Sequence, residues 1–120
     1  MYDIHADVAK NRLYIVLKEF MNDEQMKEAA DFAIQEVDKL RPGFVLINDV
    51  SDYKPTSPEG AQEMERALEY MRQRGLTRVL RITGNVLGSM QIQRIASQGG
   101  YDVDIVNSVE EADKILDSQG

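Results

Sequence analysis

Four consecutive apolar residues, Phe44-Val45-Leu46-Ile47, stand directly between two amphipathic helical patterns. A strand with no polar face must be covered on both sides, the usual condition of a parallel sheet flanked by helices. On its N-terminal side, Met26, Ala30, Ala33, Ile34, Val37 and Leu40 recur at spacings of three and four. Asn22 is the expected N-cap of this helix, with Gln25 three residues on as in a capping box. Asp23 and Glu24 suit the positive helix start, and Pro42-Gly43 ends the pattern. On the C-terminal side, Ser57-Pro58 opens a second helix, since Ser caps well and Pro is tolerated at the first helical position. Ala61, Met64, Leu68 and Met71 form its stripe, and Gly75 is placed to end it.

The rest of the chain extends this alternation. Tyr2 to Val8 alternates apolar and polar residues, Ala9 to Arg12 reads as a polar turn, and Leu13-Tyr14-Ile15-Val16-Leu17 as a second, more buried strand. Asn48 through Thr56 reads as a polar loop. Thr77 to Thr83 is another strand, Gly84 to Ser89 a glycine-bounded loop, and Ile92, Ile95 and Ala96 mark a short helix ending at Gly99-Gly100. Tyr101, Val103 and Ile105 alternate with Asp102 and Asp104 in a last strand. Ser108-Val109-Glu110-Glu111 is a capping-box pattern opening a helix with Ala112, Ile115 and Leu116 inside. The expected fold class is α/β: a single-layer mixed, mainly parallel sheet with an N-terminal β-hairpin, order β-β-α-β-α-β-α-β-α. The 120 residues suit one domain spanning 1–120.

Composition narrows the function. The chain has no Cys and one His, so thiolate metal sites and His-paired nucleophiles lack parts. A net charge of −7 argues against general binding to nucleic acid or an anionic membrane. No apolar run approaches the ~20 residues of a membrane span. The N-terminus shows neither basic nor apolar signal-peptide regions, which makes the cytoplasm the default location. From Arg66 to Arg94 six arginines (66, 72, 74, 78, 81 and 94) face a single acid, Glu69. They are expected to pair mainly with the chain's own carboxylates, with an anionic partner as the alternative.

The candidate chemistry is sparse. Gly84–Ser89 sits where a phosphate-binding turn would, but no Lys follows Gly88 and no G-x-G-x-x-G is present, so it is expected to be a plain strand-to-helix turn. Asp49, Asp52, Glu59 and Glu63 lack a regular metal-ligand spacing and are expected to be solvated. His5 lies on the polar phase of an edge strand, where a surface role is expected. Met21, Met26, Met64, Met71 and Met90 read as gap-filling core residues. Ser51, Thr56 and Ser57 lie in or near the loop that leads to the second helix.

The stretch Phe44 to Ser51, the helix start Thr56-Ser57-Pro58-Glu59-Gly60 and the run Gly100 to Ala112 resemble the STAS superfamily of anti-sigma-factor antagonists, in its divergent STAS/SEC14-like branch. The resemblance covers the chain as element order. Asp49-Val50-Ser51 matches the family's D-[LF]-S segment, and Gly60 matches the glycine of D-S-[ST]-G. Ser57 replaces the Asp of that second motif, and Pro58 stands where the family's phosphorylated Ser would be. Proline has no hydroxyl, so Ser57 or Thr56 is left as the candidate phosphorylation site.

The resemblance implies a non-enzymatic bacterial regulatory or protein-interaction module without cofactors. Its expected working surface is Asp49, Ser51, Tyr53, Thr56, Ser57 and Glu59 with Gly84, Val86 and Leu87 from the neighbouring loop. Tyr53, Val86 and Leu87 are the expected exposed apolar residues of that surface. The partner is another protein or a second copy, joined through the edge hairpin. The alternative is a small apolar or anionic ligand in a cleft between the second and third helices. A receiver-type domain fits less well: Lys18-Glu19 is a poor acidic pair, and Asn107 stands where a Lys is needed.

Overall fold

The computed structural model describes residues 1–84 and 102–119. They form β1 (Tyr2–Asp7), β2 (Arg12–Glu19), α1 (Asp23–Val37), β3 (Val45–Tyr53), α2 (Pro58–Gln73), β4 (Arg78–Ile82), β5 (Asp102–Val106) and α3 (Val109–Gln119). The five strands lie side by side in chain order. β1 and β2 are antiparallel, and every later pair is parallel. The expected fold class is the observed one. The short helix expected around Met90, Ile92, Ile95 and Ala96, with Val86, Leu87, Arg94 and Tyr101, lies outside the described residues.

Sheet order dictates where the helices go. Right-handed crossovers between successive neighbouring strands put α1 and α2 on one face, where they pack together. The larger core lies beneath them, with Leu13, Met26, Ala33, Phe44, Leu46, Val50, Met71 and Val79 all at or near complete burial. The opposite face carries α3 over a smaller cluster of Ile47, Leu80, Ile82, Val106 and Ala112. β3 serves both cores, because alternate residues of a central strand point to opposite faces.

The helix starts follow the sequence signals. Asn22 Oδ1 accepts from Gln25 N at 2.8 Å while Gln25 Oε1 accepts from Asn22 N at 2.9 Å, completing the capping box. Ser57 Oγ accepts from Gly60 N at 3.0 Å, with Pro58 in the first turn of α2. Gly75 follows the α2 C-cap with φ +103, and a Cβ there would lie 2.7 Å from Pro42 Cα. Only glycine lets the end of α2 pass this close to the end of α1.

Several sequence expectations are corrected. Arg12, expected in a turn, begins β2 and is 6% exposed, because Asp113 and Asp117 of α3 receive its guanidinium. The expected loop at 48–56 is mostly strand: β3 runs to Tyr53, and its backbone pairs with β2 on one side and β4 on the other. Val103 and Ile105, which alternate with Asp102 and Asp104 in the expected last strand, are exposed, and Val106 is the buried residue of β5. In α1, Ala29 and Glu36 are buried and Ile34 only half-buried.

Candidate functional site

The C-terminal ends of the parallel strands are where open α/β folds present their loops. Here the end of β3 carries a bulge. Val16 pairs with Asp49 and Lys18 with Asp52, so β3 spends one more residue than β2 over this span. Asp49 holds the irregularity: its Oδ1 accepts from Ser51 N at 3.0 Å and from Ser51 Oγ at 2.6 Å. The bulge also shifts the inward phase. Val50 and Tyr53 are both fully buried although three residues apart, and Tyr53 Oη donates to Met64 Sδ at 3.9 Å. Burial pushes the Tyr53 pKa up. Tyr53 is therefore a core residue and not part of an exposed surface, which corrects the sequence reading.

Gly84 lies against this bulge. A Cβ at Gly84 would sit 2.9 Å from the Ser51 carbonyl oxygen. Asp49, Ser51 and Gly84 thus come together as the sequence reading grouped them, through a backbone approach that a larger residue would disturb.

Thr56 and Ser57 form a second group, turned toward the start of α1. Thr56 Oγ1 donates to the Met21 carbonyl at 2.9 Å. Ser57 Oγ donates to the Asp23 carboxylate while capping α2. Both hydroxyls therefore fasten the two helix starts to each other. Glu59 is exposed in the first turn of α2. Val86 and Leu87 lie outside the described residues.

Sequence reasoning missed Phe20. Glu19 ends β2 in the left-handed region, φ +62, a conformation that costs a non-glycine residue about 1 kcal/mol. Phe20 follows at 58% exposure. It is bracketed by two ties to the loop after β3: Lys54 N donates to the Glu19 carbonyl at 3.2 Å, and Thr56 donates to Met21. The available signal was an aromatic residue placed just after Lys18-Glu19, where the apolar run of β2 has stopped.

The arginine-rich window is mostly consumed internally. Arg66 pairs with Glu63 and Asp31, Arg72 with Glu69, Arg74 with Asp38 and Arg78 with Asp104. Arg81 is buried in the sheet, its Nε donating to Asn48 Oδ1 at 3.4 Å. Among the described residues, no three His, Asp or Glu side chains gather as a metal cluster would require. No described helix is long and apolar enough to cross a membrane.

A cavity of about 60 Å³ lies between the α1–α2 pair and the sheet. Met26, Met64, Met71, Ala33 and Ala67 line it, with the Asn48 amide at its edge. The cleft expected between α2 and a helix around Ile92 and Ile95 involves residues outside those described.

No protein-family model and no curated protein matches the chain. Among solved structures, an uncharacterised protein of the DUF3478 family from Shewanella loihica PV-4, described as having a SpoIIAA-like fold, is similar to it. The TM-score is 0.71 over 97% of this chain and 92% of that chain, at 13% sequence identity. The likeness shows the fold: this chain has a SpoIIAA-like, STAS-type architecture.

Proposed function

We propose that the chain is a non-enzymatic regulatory module that binds a protein partner through the C-terminal end of its parallel sheet. The observation that carries this reading is Phe20, a large aromatic residue 58% exposed beside the loop at 54–57. Aromatic residues are enriched among the anchors of protein interfaces, which supports this reading. Lys54, in the loop tied to Glu19, and Glu59, in the first turn of α2, are exposed at this end and supply polar groups to it. The hydroxyls of Thr56 and Ser57 lie at the same end, and phosphorylation of Ser57 is part of this reading. A phosphate there would replace the hydrogen bond to Asp23 with repulsion between anions, loosening the joint between the two helix starts.

The test is site-specific photo-crosslinking in the protein's own host. A benzoyl-phenylalanine in place of Phe20 is expected to give a discrete adduct with one polypeptide. The same group in place of Lys114, on α3, is expected to give none. Equal labelling from both positions, or no adduct from position 20, overturns the reading.

The second reading, a small apolar ligand, rests on the cavity beneath α1 and α2. Its roughly 60 Å³ is less than half of the about 150 Å³ that admits a benzene ring. A ligand of any size would require α1 and α2 to lift from the sheet, and the methionine walls are adaptable enough to reseat. Native mass spectrometry showing an adduct released on denaturation would favour this reading over the first.

A further inference from the structure

The outward face of α1 carries a groove distinct from the surface around Phe20. Glu24, Lys27, Glu28, Asp31, Phe32 and Gln35 line it, at helical spacings of three and four, and Tyr2 of β1 forms the facing wall. Its volume is about 410 Å³. Phe32 is 39% exposed, against the pattern of a helix whose apolar residues otherwise face the core. Its ring stands 6.2 Å from that of Tyr2, tilted by 49°. The carboxylates of Glu24 and Glu28 stand beside this aromatic pair with the ammonium of Lys27, while the third carboxylate of the groove, Asp31, is already paired with Arg66.

We infer that this groove docks an arginine-bearing segment of a partner protein, with guanidinium groups held between the Tyr2 and Phe32 rings and the carboxylates of Glu24 and Glu28. The chemistry is specific to that kind of occupant. A guanidinium stacks on aromatic rings and donates to carboxylates at once, which neither an acidic nor a purely apolar segment does. Charge argues for a partner and against a second copy. Two chains of net −7 repel, and of the described arginines Arg12, Arg66, Arg72, Arg74 and Arg78 are ion-paired within the chain, while the exposed Arg41 donates to the Val8 carbonyl. The edge of β1 beside the groove is also partly closed, because Glu36 of α1 accepts from Ala6 N at 3.0 Å. The occupant therefore binds by its side chains more than by adding a strand.

The test is an NMR titration of the ¹⁵N-labelled chain with a capped peptide of alternating arginine and alanine. Shifts are expected at Tyr2 and along residues 24–35. Phe32→Ala is expected to weaken binding about fivefold, and Glu24→Gln with Glu28→Gln about tenfold. Glu110→Gln with Glu65→Gln, remote acidic residues, should leave the affinity unchanged. All these positions are exposed, and an unchanged amide fingerprint of each variant verifies its fold. No binding, shifts spread over every acidic surface, indifference to Phe32→Ala, or the same shifts at the same affinity with spermidine would each overturn the inference. Shifts confined to Phe20 and residues 54–57 would overturn it too, while leaving the proposed function standing.

Discussion

The two faces of the sheet are held by different physics. Beneath α1 and α2 the contacts are apolar almost throughout, and the helices carry small residues, Ala29, Ala30, Ala33 and Ala67, that let them lie close to the strands. Beneath α3 the described apolar cluster is Ile47, Leu80, Ile82, Val106 and Ala112 with partly buried Val45, Val109, Ile115 and Leu116, and ionic and hydrogen-bonded contacts accompany it. Arg12 donates to Asp113 at 2.9 Å and to Asp117 at 2.6 Å. Tyr14 Oη donates to Asp113 at 2.6 Å, and Arg78 Nη1 donates to Gln119 at 2.8 Å. Burial, followed by Asp113, pushes the Tyr14 pKa up to about 12, so the phenol remains a donor across the physiological range. Apolar burial is non-directional and is not weakened by ionic screening, whereas an ionic clasp is directional and screened where it meets water. Among the described helices, α3 is therefore the one whose attachment is expected to respond to solution conditions, while the α1–α2 pair covers the larger apolar core.

The sharpest way to break this comparison uses neighbours on β3. Leu46 and Ile47 are equally buried, one toward each core. Leu46→Ala is expected to cost about 4 kcal/mol, since it enlarges an existing void in a rigid core. Ile47→Ala is expected to cost about 3 kcal/mol, because α3 is freer to settle into the gap. Urea unfolding of the two variants measures the difference. Equal losses would mean that the two faces are equally rigid.

Next comes the clasp itself. Arg12→Met is expected to destabilise by about 2 kcal/mol, less than a fully buried pair would lose, because Asp113 and Asp117 can turn to water. Hydrogen exchange should show the loss concentrated in α3. Uniform loss across all helices would contradict the division between faces. Tyr14→Phe removes a single hydrogen bond to a charged acceptor and is expected to cost about 1.5 kcal/mol by the same denaturation measurement.

The smallest effect is that of pH. The Arg12 hydrogen bond, above all, holds the Asp117 carboxyl below its ordinary range. The Lys39 hydrogen bond does the same for Glu36, against the opposing effect of burial. A depressed carboxylate contributes stability that is complete above its unfolded pKa and lost as pH falls through its lowered folded value. On acidification, α3 amides should lose protection as Asp117 is protonated, whereas the apolar contacts around Ala29 and Ala33 carry no titrating group. Simultaneous loss would argue that α3 is not separately held.

Local chemistry made the α1 and α2 starts legible, since a capping box and a Ser-Pro N-terminus act within a few residues. The buried run at Phe44 to Ile47 likewise announced a central strand. The end of β3 was not legible. Asn48-Asp49-Val50-Ser51-Asp52 looks like a polar loop until its partners are known. Asn48 donates to the Ile15 carbonyl at 3.2 Å and Asp49 takes the Ser51 donors, so these polar residues are satisfied inside a sheet. The candidate site was half legible for the same reason. Asp49, Ser51, Ser57 and Thr56 were found as residues, but Tyr53 was misplaced, because no pattern in the chain shows which strand residue a bulge turns inward. Phe20 and the Tyr2–Phe32 pair were missed, since exposure of an aromatic depends on what the rest of the chain leaves uncovered.

The sequence by itself determined the alternation of elements, the helix starts and the sheet's mainly parallel character, all of which depend on periodicity and short-range hydrogen bonding. Only the tertiary structure decided that Arg12 is buried, that α3 is clasped by charge, that Ser57 and Thr56 fasten the two helix starts, and that Phe20 is left in water. Each of these depends on partners far away in the chain, such as Arg12 with Asp117 or Ser57 with Asp23. A residue's type and local spacing state what it can bond to. Which bond is made is set by the neighbours that folding brings within reach.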